Sequence, residues 1–170
     1  MKNVCVVGLG YIGLPTAAVI AKQGWHVLGV DVNQSVVDTI NSGEIHIVEL
    51  GLEDVVREAI LAGSLRAATL PEPADVFVIA VPTPFKAQKK PDLRFIESAA
   101  LAIAPVLKAG DLVILESTSP VGTTEMLAEW LFANRCDLTF PQTLGGEADI
   151  KVAYCPERVL PGKTMHELVA

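Results

Sequence analysis

Val4-Cys5-Val6-Val7-Gly8-Leu9-Gly10-Tyr11-Ile12-Gly13-Leu14-Pro15 decides the fold. Three valines and a cysteine in a row read as a strand buried on both faces. Three glycines then fall at G-x-G-x-x-G spacing between that strand and a stretch of helical periodicity, the context in which the motif carries weight. Gly8 allows the tight turn, Gly10 lets an anion approach the backbone, and Gly13 lets helix and strand pack closely. The N–H groups around Tyr11 and Ile12, together with the helix dipole, would hold a pyrophosphate. Pro15 falls in the first turn, where a missing N–H costs little. The alternative is that the glycines serve only a tight turn. Residues 4–21 also carry no charge and imitate a signal peptide, but the glycines and Pro15 interrupt any continuous apolar helix.

The next apolar run ends at Asp31, close to the ~20-residue spacing expected of a ribose-binding acid. A carboxylate there accepts hydrogen bonds from both ribose hydroxyls and repels a 2′-phosphate. Val32, Asn33 and Gln34 supply no cation for such a phosphate, so NAD is expected over NADP. The competing role for Asp31 is to cap the following helix.

Beyond this stretch, short apolar runs alternate with helix-period segments. Strands are expected over 4–7, 25–30, 65–68, 75–81, 112–115 and 151–154, and helices over 11–23, 34–41, 53–62, 93–108 and 123–133. In the fourth helix Leu93, Ile96, Ala100, Ile103 and Leu107 share one face, Asp92 is the expected N-cap, and Pro105 should kink or shorten the end. Strand–helix alternation of this kind implies an α/β fold: a doubly wound parallel sheet in strand order 3-2-1-4-5-6, as one domain over 1–170.

Composition narrows the function classes. At 170 residues, 51% hydrophobic and 19% charged, the chain can bury a core and is not a disordered type. A net charge of −7, with no basic cluster beyond Lys89-Lys90, argues against nucleic acid as a partner. Cys5, Cys136 and Cys155 lack C-x-x-C spacing, so no metal site and no disulfide framework is expected. They suit a reducing cytoplasm, and no membrane association is expected.

Three more loops follow the carboxyl ends of expected strands, where ligands lie in an open α/β sheet. They are Val81-Pro82-Thr83-Pro84, Glu116-Ser117-Thr118-Ser119-Pro120-Val121-Gly122 and Cys155-Pro156-Glu157-Arg158. Pro82, Thr83, Ser117 and Thr118 would stand near a nicotinamide ribose or the reacting carbon, and Thr124 would face the cofactor from the start of a helix. Glu157 would act as a base or position a water, and Arg158 would clamp a phosphate or carboxylate. Taken alone, Glu157 and Arg158 read first as a surface ion pair. Cys155 reads as a packing residue, since no base stands nearby to activate it. His26, His46 and His166 are scattered, with no metal-ligand or triad residue at a recognisable sequence spacing, and receive no role.

Together, Gly8-Leu-Gly-Tyr-Ile-Gly-Leu-Pro15, Val81-Pro-Thr-Pro84, Glu116-Ser-Thr-Ser-Pro-Val-Gly122 and Cys155-Pro-Glu-Arg-Val-Leu-Pro-Gly162 resemble the UDP-glucose/GDP-mannose dehydrogenase family across essentially the whole chain. Pro156 to Gly162 and Gly43-Glu-Ile-His-Ile-Val48 are similar to the branch that oxidises UDP-N-acetylhexosamines. The resemblance implies oxidation of a UDP-sugar, foremost UDP-N-acetylmannosamine, at its C6 alcohol to the carboxylate while two NAD+ are reduced. It implies that Tyr11, Ile12, Asp31, Thr83 and Thr124 line the cofactor, and that Arg158 and Val159 touch the sugar nucleotide. It also implies that Glu157, helped by Thr118, serves hydrolysis of a cysteine thioester.

Three features depart from the family pattern. Val36 stands where a basic residue is common, and Glu49-Leu50-Gly51-Leu52 replaces Glu-Pro-Gly-Leu. The Gly-Gly-x-Cys motif is missing, with Gly145-Gly146-Glu147-Ala148 as its nearest echo. The chain is therefore expected to be the cofactor half of an enzyme that is usually homo-oligomeric. It would lack the central helix, the second domain and the usual dimer interface, would be inactive alone, and would tend to self-associate. Other expectations remain open: oxidation of UDP-glucose, UDP-N-acetylglucosamine or GDP-mannose, or a stand-alone NAD-sensing module.

Overall fold

A computed structural model describes residues 3–85 and 91–156. In chain order the elements are β1 (Asn3–Val7), α1 (Gly13–Lys22), β2 (His26–Val30), α2 (Gln34–Asn41), α3 (Leu52–Leu61), β3 (Leu65–Ala68) and β4 (Val76–Ile79). They continue with α4 (Arg94–Ile103), β5 (Leu112–Leu115), α5 (Thr123–Asn134), α6 (Pro141–Leu144) and β6 (Lys151–Tyr154). The six strands form one sheet in the order β3-β2-β1-β4-β5-β6, every pair parallel. That is the strand order expected from the alternation.

Period-two alternation in the strands builds two cores. Val4 and Val6 of β1 face a layer made by α1, α2 and α3, where Leu14, Val37, Ile40, Leu52 and Val56 are buried. Cys5 and Val7 face the other way, onto Phe77 and Ile79 of β4 and the buried faces of α4 and α5, including Ile96, Ile103, Leu127 and Leu131. Phe77 is fully enclosed, and truncating such a side chain costs about 3–5 kcal/mol. Both faces of the central strands are thus covered, which explains their unbroken apolar runs.

The element ends move where loop chemistry overrides pattern. The strand expected over 75–81 pairs only through Ile79; the chain then leaves the sheet through Pro82 and Pro84, neither of which has an N–H to donate. The helix expected over 93–108 ends at Ile103, and Pro105 turns its remainder into one 3-10 turn, Ala104–Val106. Asp92 is not its N-cap residue: that position is Leu93. Asp92 is buried instead, its Oδ1 accepting the Arg94 N–H at 3.1 Å while its carboxylate pairs with the Arg94 guanidinium at 2.6 Å. The short α6 was not expected.

The outer edge of β3 is occupied by a side chain. Asn41, the last residue of α2, donates its amide to the Ala67 carbonyl at 2.9 Å and accepts the Ala67 N–H at 2.8 Å.

Candidate functional site

The loop between β1 and α1 gives its three glycines three different jobs. Gly8 has φ +96°, its N–H donates to the Val30 carbonyl at 2.8 Å, and a Cβ there would stand 2.6 Å from the Ala80 carbonyl oxygen. A Cβ on Gly13 would stand 1.8 Å from the carbonyl oxygen of Gly8, so helix and loop close on each other only because both are glycine. Gly10 has open space around its missing Cβ. A bound anion can therefore come down onto the backbone at that point.

The first helical bond to cross this turn runs from Leu14 N–H to the Gly10 carbonyl at 3.2 Å, and among the described residues the N–H groups of Tyr11 and Ile12 enter no backbone hydrogen bond. No acidic residue lies in the first turn of α1 and no side chain caps it. The positive end of the helix dipole thus faces the cleft with no acid or cap from the helix itself, as suits a phosphate site.

Asp31 sits beside this loop, half-buried at the end of β2. Its Oδ2 accepts the Leu9 N–H at 3.1 Å and its Oδ1 accepts the Asn33 N–H at 2.9 Å. Each carboxylate oxygen keeps acceptor capacity for a hydroxyl. The cap of α2 is Asn33, whose side chain accepts from Ser35 N–H, so capping is not what Asp31 does here. Val36 is partly buried against the α1–α3 core, which explains an apolar residue at that position.

Across β1 from Asp31, the loops after β4 and β5 enclose a cavity of about 190 Å³ lined by Ile12, Val81, Pro82, Thr83, Glu116 and Thr118, among others. The Thr83 hydroxyl donates to the Thr118 carbonyl at 2.6 Å, which ties the two loops together. Ser117 lines the same cavity; it is buried, and its hydroxyl donates to the Val81 carbonyl at 2.7 Å, bracing the two loops. Thr124 lines a separate cavity of about 200 Å³ with Ser119, Gly122 and Tyr154. Glu157, Arg158 and Val159 lie outside the described residues, as does His166. The described chain ends just past exposed Cys155, whose N–H donates to the Leu115 carbonyl at 3.0 Å.

One participant escaped the sequence reading. The Thr16 hydroxyl, in the first turn of α1, donates to the Glu116 carboxylate, 3.0 Å from Oε1 and 3.2 Å from Oε2, across 100 residues of chain. Glu116 was visible only as the first polar residue after an apolar strand, and no local pattern names Thr16 as its partner.

Another cavity, about 240 Å³, opens among Asn3, His26, Gly63, Arg66 and Glu72 at the opposite edge of the sheet. Arg66 and Glu72 pair there at 2.6 Å. Strands begin at that edge, whereas ligands of open α/β sheets lie where strands end. Among the described residues no group of three or more His, Cys, Asp or Glu side chains gathers to hold a metal, and no helix is long and apolar enough to cross a membrane.

Known proteins with this sequence and fold agree with the geometry. The family model described as "UDP-glucose/GDP-mannose dehydrogenase family, NAD binding domain" matches residues 2–170. An NDP-N-acetyl-D-galactosaminuronic acid dehydrogenase of Ralstonia nicotianae is 64% identical over 99% of this chain and 40% of that protein. A UDP-N-acetyl-D-mannosamine dehydrogenase of Escherichia coli K12 is 63% identical over 98% of this chain and 40% of its own length. The solved structure of the UDP-N-acetyl-mannosamine dehydrogenase Cap5O from Staphylococcus aureus superimposes with a TM-score of 0.89 at 42% identity, over 98% of this chain and 39% of that one. The chain thus spans about 40% of the length of the curated relatives it matches. With the glycine loop, the uncapped α1 and the acid at the end of β2 in the arrangement an NAD site needs, the chain belongs to the UDP-glucose/GDP-mannose dehydrogenase family, in which it corresponds to the NAD-binding domain.

Proposed function

We propose that this chain is the NAD-binding half of a UDP-N-acetyl-D-mannosamine 6-dehydrogenase, a cytoplasmic enzyme that makes the UDP-N-acetylmannosaminuronate used in polysaccharide synthesis. The observation that carries the cofactor part is the open surface over Gly10, flanked by the N–H groups of Tyr11 and Ile12 and by the Asp31 carboxylate. The pyrophosphate would lie on Gly10 and the adenosine ribose on Asp31. The nicotinamide end would reach the cavity between Thr83 and Thr118. Bound there, NAD supplies a hydride acceptor. The chain's own residues position it and exclude a 2′-phosphate.

Glu157 and Thr118 would serve hydrolysis of the thioester, while Arg158 and Val159 would hold the sugar nucleotide. The nucleophilic cysteine would come from the remainder of a longer protein. The E. coli and S. aureus relatives support the mannosamine substrate. The Ralstonia relative, at nearly the same identity, favours a second reading in which the substrate is a nucleotide N-acetylgalactosamine derivative.

Calorimetric titration of the 170-residue chain should show binding of NAD+ in preference to NADP+, with no NADH formed on adding UDP-N-acetylmannosamine. Joining residues 1–170 to the remaining domains of the E. coli relative should restore NADH production. Comparing UDP-N-acetylmannosamine, UDP-N-acetylgalactosamine, UDP-N-acetylglucosamine, UDP-glucose and GDP-mannose on that chimera separates the substrate readings.

A further inference from the structure

We infer that Glu116 is a further residue of the cofactor cleft, one that sets the preference for oxidised over reduced nicotinamide. The inference rests on the NAD-binding reading above. Glu116 is the first residue beyond β5, and its carboxylate engages the Thr16 hydroxyl through both oxygens, at 3.0 and 3.2 Å. Thr16 is itself buried, so the carboxylate is fastened to the start of α1. Glu116 also lines the cavity shared by Ile12, Val81, Thr83 and Thr118.

Topology decides which end of a dinucleotide reaches this cavity. Asp31 marks the adenosine ribose at the end of β2, and Gly10 marks the pyrophosphate above β1. Since the strand order continues from β1 to β4 and β5, the second mononucleotide must lie over the ends of those two strands. Glu116 stands there.

The oxidised nicotinamide ring carries a positive charge that the reduced ring lacks. A fixed carboxylate in a partly desolvated cleft attracts the first and not the second, with solvent and salt reducing the difference. Anchorage to Thr16 keeps the charge from swinging into bulk water. An enzyme that reduces two NAD+ for each substrate must exchange cofactor between its two oxidations, and a weaker hold on NADH serves that exchange.

The test is the dissociation constants of NAD+ and NADH for the wild-type chain, Glu116→Gln and Thr16→Val. Glutamine preserves shape and the Thr16 hydrogen bond while removing the charge. Glu116→Gln should narrow the NADH-to-NAD+ ratio of dissociation constants by about three- to tenfold, and Thr16→Val should shift it the same way by less. An unchanged ratio, or an equal weakening of both forms, overturns the proposal, because a purely structural role moves both together. A wild-type chain that binds neither dinucleotide overturns the NAD reading itself, and this inference with it.

Discussion

The backbone N–H of Leu9 donates to Oδ2 of Asp31 at 3.1 Å, so the acid at the end of β2 is fastened to the glycine loop after β1. One carboxylate therefore orders the loop and, in the proposed NAD site, would also present acceptors to the ribose. Asp31→Ala should weaken NAD+ binding by about tenfold or more, at roughly 1.4 kcal/mol per decade, while NADP+ loses less. Calorimetry with both dinucleotides measures the change in selectivity. Unchanged titrations would leave Asp31 with only the loop to hold.

The glycines separate stability from binding. Gly13→Ala places a methyl group 1.8 Å from the Gly8 carbonyl oxygen, and neither backbone can yield cheaply. A loss of about 3 kcal/mol or more is expected, the upper end for overpacking. Gly10→Ala meets no atom within 4 Å, so its unfolding free energy in urea should stay within about 0.5 kcal/mol of wild type. Its methyl group would nevertheless occupy the space a pyrophosphate needs. Denaturation paired with NAD+ titration should therefore show one variant failing in stability and the other in binding only.

Acid should weaken the β6 side of the sheet through Asp149. The Thr139 hydroxyl and N–H donate to its Oδ2 at 2.7 and 2.8 Å, holding its carboxyl below the ordinary carboxylate value. A group whose folded value is depressed stabilises the fold above the unfolded pKa of about 3.9 and loses that contribution as pH falls through the folded value. Asp137 beside Arg135 and Glu72 beside Arg66 act with the same sign. Asp149→Asn should flatten the dependence of the urea midpoint on pH below about 4. An unaltered slope would place the proton uptake elsewhere.

The three cysteines should divide by burial. Cys5 lies inside β1, and burial pushes its thiol up to about 12, whereas Cys136 and Cys155 are exposed. A chromogenic disulfide reagent at neutral pH should titrate Cys136 and Cys155 in the native protein, and Cys5 only after denaturation. Rapid reaction of all three thiols would mean that β1 opens readily.

What was legible in the sequence was local. The residues of α2, β3, β5 and β6 were readable to the last position because a clean period runs between turn residues. The glycine loop and Asp31 were readable because their spacing follows from one strand–turn–helix unit. Boundaries drifted where prolines ended a pattern early, as at Ile79 and Ile103. Four residues of α6 are too few to show a period. The pairing of Thr16 with Glu116 and the bracing of Val81 by Ser117 join residues 100 and 36 apart, which no local pattern encodes. Both lie at the cavity between the loops after β4 and β5, whose residues Pro82, Thr83, Ser117 and Thr118 the sequence singled out but whose cross-links it did not.

The Asn41 amide has a meaning beyond the helix it closes. By giving and taking one hydrogen bond with Ala67, it imitates the next strand of the sheet. A free β3 would offer unpaired peptide groups as a template on which another chain can grow a β-ribbon. With that template plugged at Ala67, another strand cannot extend the sheet at the β3 edge without displacing Asn41. Asn41→Leu would unplug it, and fibrillar rather than amorphous association is the outcome to look for by dye binding.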